Sequence, residues 1–169
     1  WTYQDIKITL SSSESGSGIA KYQVKYSGNN NTWTDVSVPD TWSAERNETA
    51  YYRAVDKAGN VSSATSTTIK IDKSAPTLAS AEIKNVTSSG YDVYVYGVTD
   101  NNQSGVNRLQ FPTWTSLNGQ DDIQSDWVNS TKAKGTLQSD GTTWVYRVNT
   151  TDHKNESGTY YTHIYAYDN

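Results

Sequence analysis

The sequence predicts an all-β protein, two tandem antiparallel β-sandwiches, and three observations carry that prediction. Short runs of alternating apolar and polar residues recur at spacings of about ten residues, divided by Gly, Asn and Asp turns. No stretch has a helical period. The chain also repeats itself: Tyr51-Tyr52-Arg53-Ala54-Val55-Asp56 returns near the C-terminus, where Ala166 and Asp168 stand in for Ala54 and Asp56.

The elements follow in order. Residues 5–10 (Asp-Ile-Lys-Ile-Thr-Leu) alternate at period two, so Ile6, Ile8 and Leu10 face a core. After a Ser/Gly loop, Tyr22, Val24 and Tyr26 are the alternate residues of a second strand. Gly28-Asn29-Asn30-Asn31 then turns the chain back into residues 32–38, because Gly and Asn tolerate positive φ. Residues 50–56 form the central strand, Lys57-Ala58-Gly59-Asn60 its turn, and Ile69-Lys70-Ile71 the end of the last strand.

Residues 72–77 (Asp-Lys-Ser-Ala-Pro-Thr) read as a joint, since Pro76 forces Ala75 to be extended. The expected units are 1–73 and 78–169. In the second, Asp92 follows Asp5 at the same interval by which Ser104-Gly105-Val106 follows Ser17-Gly18-Ile19. The interval then lengthens, with Thr143-Trp144 answering Thr32-Trp33, so unit two carries an insertion at about residues 112–141. A loop that long is usually functional or structured in itself. The chain stops just past Asp168, before a second Ala-Gly-Asn, so unit two is expected to lack its last strand.

Composition narrows function. Six Trp and thirteen Tyr offset a mean hydropathy of -0.78, so the chain buries enough area to fold. The net charge of -4 is interspersed, without the basic stripe that nucleic acid or an anionic membrane would call for. No apolar run approaches the roughly 20 residues that span a bilayer, so membrane insertion is not expected. With two His, no Cys, no Ser/His/Asp spacing and no phosphate loop, the expectation is a protein that is not an enzyme. The Ser/Thr/Asn/Tyr-rich surface suits an extracellular setting.

Tyr-Arg-Ala-Val-Asp-Lys-Ala-Gly-Asn-Val-Ser, Gly-Ser-Gly-Ile-Ala-Lys-Tyr and Ile-Asp-Lys-Ser-Ala-Pro-Thr resemble the Ig-like or fibronectin-type-III-like repeats of Gram-positive surface proteins. Unit two, through Trp114, Asn118-Gly119-Gln120-Asp121-Asp122-Ile123, Trp127, His153 and His163-Ile164-Tyr165, is similar to the GBS Bsp-like repeat of cell-surface proteins and wall hydrolases. The resemblance implies Ig-like sandwiches in a secreted or cell-wall-attached protein, serving as an accessory to other domains of the same parent chain. It carries over no binding residue.

Aromatic residues supply the main candidate site. With Tyr160, Thr162, Ile164 and Ala166 inward, Tyr161, His163, Tyr165 and Tyr167 form an outward row, and Arg108 and Gln110 on the neighbouring strand face the same way. Such a row stacks on sugar rings of a cell-wall polysaccharide or peptidoglycan; alternatively the insertion or a missing strand covers it. Trp127 joins the candidates. Trp114 and Trp127 are expected to plug the insertion onto the sandwich, and Trp33 and Trp144 to be equivalent core residues. Asp121, Asp122 and Asp126 are the densest acidic group, open to three readings: fastening the insertion through backbone N–H groups, holding calcium, or contacting a ligand. Asp100, Asn102 and Ser104 are a second oxygen set, and no other cofactor is expected.

Overall fold

The computed structural model describes residues 1–100 and 104–169, and the chain divides into two compact units, Trp1–Lys73 and Ser74–Asn169. Every pairing between the named strands is antiparallel, and no α-helix is present among the described residues.

Unit 1 contains β1 (Ile6–Ile8), β2 (Ile19–Lys25), β3 (Thr34–Val36), β4 (Asp40–Trp42), β5 (Arg46–Asp56) and β6 (Thr65–Ile71). One sheet has the order β3-β2-β5-β6 and the other is β1-β4. The inward residues the alternation selects meet between them: Val24, Trp42, Ala50, Tyr52, Ile69 and Ile71 are buried, with Ile6, Ile8 and Leu10 packed against them. A polar triad pins the layers together. The Tyr52 hydroxyl donates to Asp40 Oδ2 at 2.7 Å, and Trp42 Nε1 donates to both at 2.8 and 2.9 Å. The Asp56 turn closes as read, its carboxylate accepting the Asn60 amide at 2.8 Å while Gly59 takes φ +92°.

Unit 2 contains β7 (Ser80–Thr87), β8 (Gly90–Tyr96), β9 (Val106–Gln110), β10 (Thr113–Thr115), β11 (Thr136–Leu137), β12 (Trp144–Asn149), β13 (Tyr160–Thr162) and β14 (Tyr165–Asp168). One sheet runs β11-β12-β8-β7. The other layer is a long ribbon in which β14 pairs β9 and β13 pairs β10. Register carries through the break: Gln110 faces Tyr165 and Thr113 faces Thr162, with the His163 amide donating to Pro112 O at 3.1 Å between them. Pro112 removes one ladder donor without redirecting the strand. Val93, Val95, Leu109, Phe111, Trp144, Tyr146 and Val148 form the core. Gly90 sits at φ +144°, where a Cβ would lie 1.8 Å from Val148 O, so no larger residue fits that crossing.

Two expectations are corrected by this topology. Trp33 and Trp144 are not equivalent: β4 pairs β1 as β12 pairs β8, which sets Asp40, opposite Ile8, in the place of Trp144, opposite Val95. Trp144 is buried in the core, whereas Trp33 is half-buried outside it, with the Arg53 guanidinium 4.2 Å over its ring. The shared Thr-Trp pair is a coincidence of sequence. Trp114, expected to plug the insertion, lies instead on β10, and the insertion proper begins after Thr115.

Candidate functional site

Residues directly opposed across an antiparallel pair share a face, so the ribbon's pairing fixes which side chains stand together. Tyr165 opposes Gln110, Tyr167 opposes Arg108 and Trp114 opposes Tyr161. The outer face therefore carries Tyr161, His163, Tyr165 and Tyr167 from one strand and Arg108, Gln110 and Trp114 from the other. The inner face carries Leu109, Phe111, Ile164 and Ala166 into the core.

The rings run on one from another. Tyr161 stacks on Trp114 at 5.8 Å between centroids, and Trp114 meets His163 edge-on at 4.8 Å. His163 lies 6.3 Å from Tyr165, and Tyr165 lies 4.7 Å from Trp127. At the far end the Arg108 guanidinium sits 4.2 Å over Tyr167. Tyr161 and Tyr165 remain 46% and 42% exposed. His163 is exposed; Trp114, Trp127, Tyr167 and Arg108 are half-buried. From Tyr161 to Tyr165 the strip extends roughly 13 Å at the rise of a strand. Tyr94 and Tyr96, stacked at 6.1 Å, occupy the other sheet and take no part.

Gln110 departs from the expectation. It points to the outer side but is 1% exposed, because its Nε2 donates to Val128 O at 2.8 Å beneath the insertion. It anchors the loop and cannot reach a ligand. Trp114 is the residue the sequence reading left out of the row; its position on the same face follows once the alternation is carried across Pro112.

The insertion is fastened to the ribbon's outer edge by side chains that replace a strand. Gln124 Oε1 accepts the Thr113 amide at 3.1 Å and the Asp122 carboxylate accepts the Thr115 amide at 3.1 and 3.2 Å. Gln124 Nε2 donates to the Tyr146 hydroxyl at 2.9 Å, and that hydroxyl donates to Lys132 O at 2.8 Å. Burial pushes the Tyr146 phenol up to about 12, with the charge of Asp152 adding to it and the Gln124 hydrogen bond opposing. Main-chain bonds from Phe111 to Ala133 and from Gly135 to Leu109 complete the attachment.

Of the acidic group, Asp121 and Asp122 gather with Glu156, their ligand atoms within 4.8 Å of one another. Asp126 is not among them; its carboxylate accepts from Asn129 Nδ2 at 3.1 Å and its main-chain oxygen caps the following turn. Each member already has a donor. Lys154 pairs with Asp121, which raises the ammonium pKa through that hydrogen bond; the Thr115 hydroxyl donates to Glu156; and fully buried His153 holds Asp122 through Nδ1 at 3.2 Å. The second oxygen set includes Asn102, which lies outside the described residues. Asp100 in that loop accepts the Gly105 amide at 2.6 Å.

A tandem β-sandwich module with an aromatic strip on one sheet face and a strapped insertion beside it is the class of protein this fold defines. The family model for the GBS Bsp-like repeat matches residues 80–169, and the chain belongs to that family, a repeat module of surface proteins. No curated protein matches the chain. Among the described residues, no helix is long and apolar enough to cross a membrane.

Proposed function

We propose that the chain is a non-catalytic accessory module of a secreted or wall-attached protein, and that the strip on unit 2 binds cell-wall carbohydrate, either peptidoglycan or wall polysaccharide. The observation that carries this is the continuous run of rings from Tyr161 through Trp114, His163 and Tyr165 to Trp127, with both tyrosines partly open to solvent. Flat rings cover the apolar C–H face of a sugar, while His163, Arg108 and the tyrosine hydroxyls offer hydrogen bonds to its rim. The strip is long enough to meet more than one sugar ring. Repetition of such modules along a parent chain multiplies weak contacts into firm attachment.

Unit 1 serves in this reading as a spacer of the Ig-like or fibronectin-type-III-like kind, linking unit 2 to the other domains of the parent chain. The Asp121/Asp122/Glu156 group acts as the fastening of the insertion and requires no calcium, since every carboxylate in it has a protein donor. Titration of the full chain with soluble peptidoglycan fragments, followed by indole emission, tests the reading. A saturable change that Trp114→Ala and Trp127→Ala each reduce is expected. A titration without any change favours the rival reading, a stalk that only projects another domain.

A further inference from the structure

Unit 1 carries a tryptophan on the sheet face that bears the strip in unit 2. The two units share a register: Ile19 faces Asp56 and Tyr22 faces Ala54 in the first, Val106 faces Asp168 and Leu109 faces Ala166 in the second. By this match the opposed pair Gln23 and Arg53 corresponds to Gln110 and Tyr165. A tryptophan packs there in both units. Trp127 lies 4.7 Å from Tyr165, and Trp33 carries the Arg53 guanidinium 4.2 Å over its ring. Where the face of unit 2 is aromatic, that of unit 1 is cationic as well.

Lys25 opposes Tyr51 on this face, and its ammonium lies 5.3 Å over Trp33 and 5.4 Å over Tyr51. Two positive heads thus gather at one indole. Neither has a carboxylate partner among the described residues, although the chain as a whole carries a net charge of -4. Asp35, on the same face, is engaged elsewhere: Lys21 Nζ donates to one of its oxygens at 3.0 Å and Gln23 Nε2 to the other at 2.8 Å. Gln23 Oε1 in turn accepts Arg53 Nε at 2.9 Å. The line of bonds from Asp35 through Gln23 fixes Arg53 and leaves its two terminal nitrogens without an acceptor among the described residues. Beside Lys25, Tyr51 is 39% exposed.

We propose that this face of unit 1 binds an acidic glycan, one whose sugars carry a carboxylate or a phosphate. The acid group accepts hydrogen bonds from Lys25 Nζ and from the terminal nitrogens of Arg53, while the sugar ring rests on Tyr51. Trp33 positions both cations, and groups already held in place lose less freedom on binding. Charge selects the occupant. A neutral sugar leaves both cations without an acceptor, and a nucleic acid backbone calls for cations strung along a stripe, whereas these gather at one point. The site gives a ligand to the unit otherwise read as a spacer, and it does not depend on the strip. A single site of this kind is weak, so it adds to attachment through unit 2 rather than replacing it.

The test follows the Trp33 indole N–H by nitrogen-15 NMR in the full chain, the resonance being assigned by its loss in Trp33→Phe. The probes are polygalacturonate, its fully methyl-esterified form, phosphomannan and single-stranded oligo(dT). A saturable shift is expected with an acidic glycan; polygalacturonate would assign the acid as a carboxylate, phosphomannan alone as a phosphate. Lys25→Gln and Arg53→Gln should each weaken that binding roughly fivefold or more, and Lys7→Gln, an equal loss of charge on β1 in the other sheet, less than about twofold. No shift with either acidic glycan overturns the proposal. So does a methyl ester or oligo(dT) that binds as tightly as the acidic glycan, or an equal loss in Lys7→Gln. Binding at the strip is read separately, from the Trp114 and Trp127 indoles, so failure of one site is distinct from failure of the other.

Discussion

Adjacent aspartates with opposite consequences give a sharp test of how the insertion is held. Asp122 is fully buried, and its carboxylate accepts both the Thr115 amide and His153 Nδ1. Asp122→Ala leaves the Thr115 N–H without an acceptor, while His153 keeps the Asp122 main-chain oxygen at 3.2 Å. An orphaned buried donor costs about 1–3 kcal/mol, and loss of a charged acceptor lies at the upper end, so a loss of ~3 kcal/mol is expected. For a unit of this size that corresponds to a fall of about 15 °C in melting temperature. Asp121, one residue earlier, is exposed and pairs only with exposed Lys154, an arrangement that solvent screens. Scanning calorimetry of the full chain should show the unit 2 transition drop in Asp122→Ala and stay nearly in place in Asp121→Ala. Equal losses in the two variants would refute the reasoning. So would a rise in the wild-type transition with added calcium, because a cation held by Asp121, Asp122 and Glu156 in the folded form alone stabilises that form, the more so as its concentration exceeds the dissociation constant.

Tyr52→Phe removes the hydroxyl that bonds Asp40 and Trp42 in unit 1; the Trp42–Asp40 bond survives, so a loss of ~2 kcal/mol is expected in the urea midpoint of that unit. The Tyr146 phenol, raised to about 12 by burial, stabilises the folded state in full below its unfolded value near 10. That contribution, on the order of 2–3 kcal/mol, is lost as pH climbs from 10 toward 12, and Tyr146→Phe should flatten this part of the alkaline limb. At the acid end, hydrogen bonds from the Thr143 hydroxyl and the Thr142 and Thr143 amides lower the Asp140 pKa. Its contribution is present above the unfolded value near 3.9 and lost as pH falls through the lower folded one, so Asp140→Asn should soften acid unfolding measured by circular dichroism.

What could be read in the sequence was what obeys a local period. Alternation placed Tyr161, His163, Tyr165 and Tyr167 on one face and Ile164 and Ala166 on the other, because side-chain direction in a strand depends only on parity. The same rule continued across Pro112 adds Trp114, but a proline reads as a break when the partner strand that carries the ladder past it cannot be seen. Burial by a distant segment left no such mark. Gln110 is covered by Val128, eighteen residues on, and the third carboxylate beside Asp121 and Asp122 comes from Glu156 across the sheet rather than from nearby Asp126. The Trp33 and Trp144 comparison failed for a related reason. Equivalence within a duplicated fold is set by strand pairing, and there Asp40 answers Trp144.

Retention of the full chain on purified Gram-positive cell walls, beside Tyr165→Ala and a Tyr94→Ala control from the other sheet, tests the carbohydrate reading most directly. The strip predicts that wild type and Tyr94→Ala are retained, with or without chelator, and that Tyr165→Ala is lost to the wash, since Tyr165 lies between His163 and Trp127 in the run of rings. Equal retention of all three proteins, or release of the wild type by chelator alone, would contradict it.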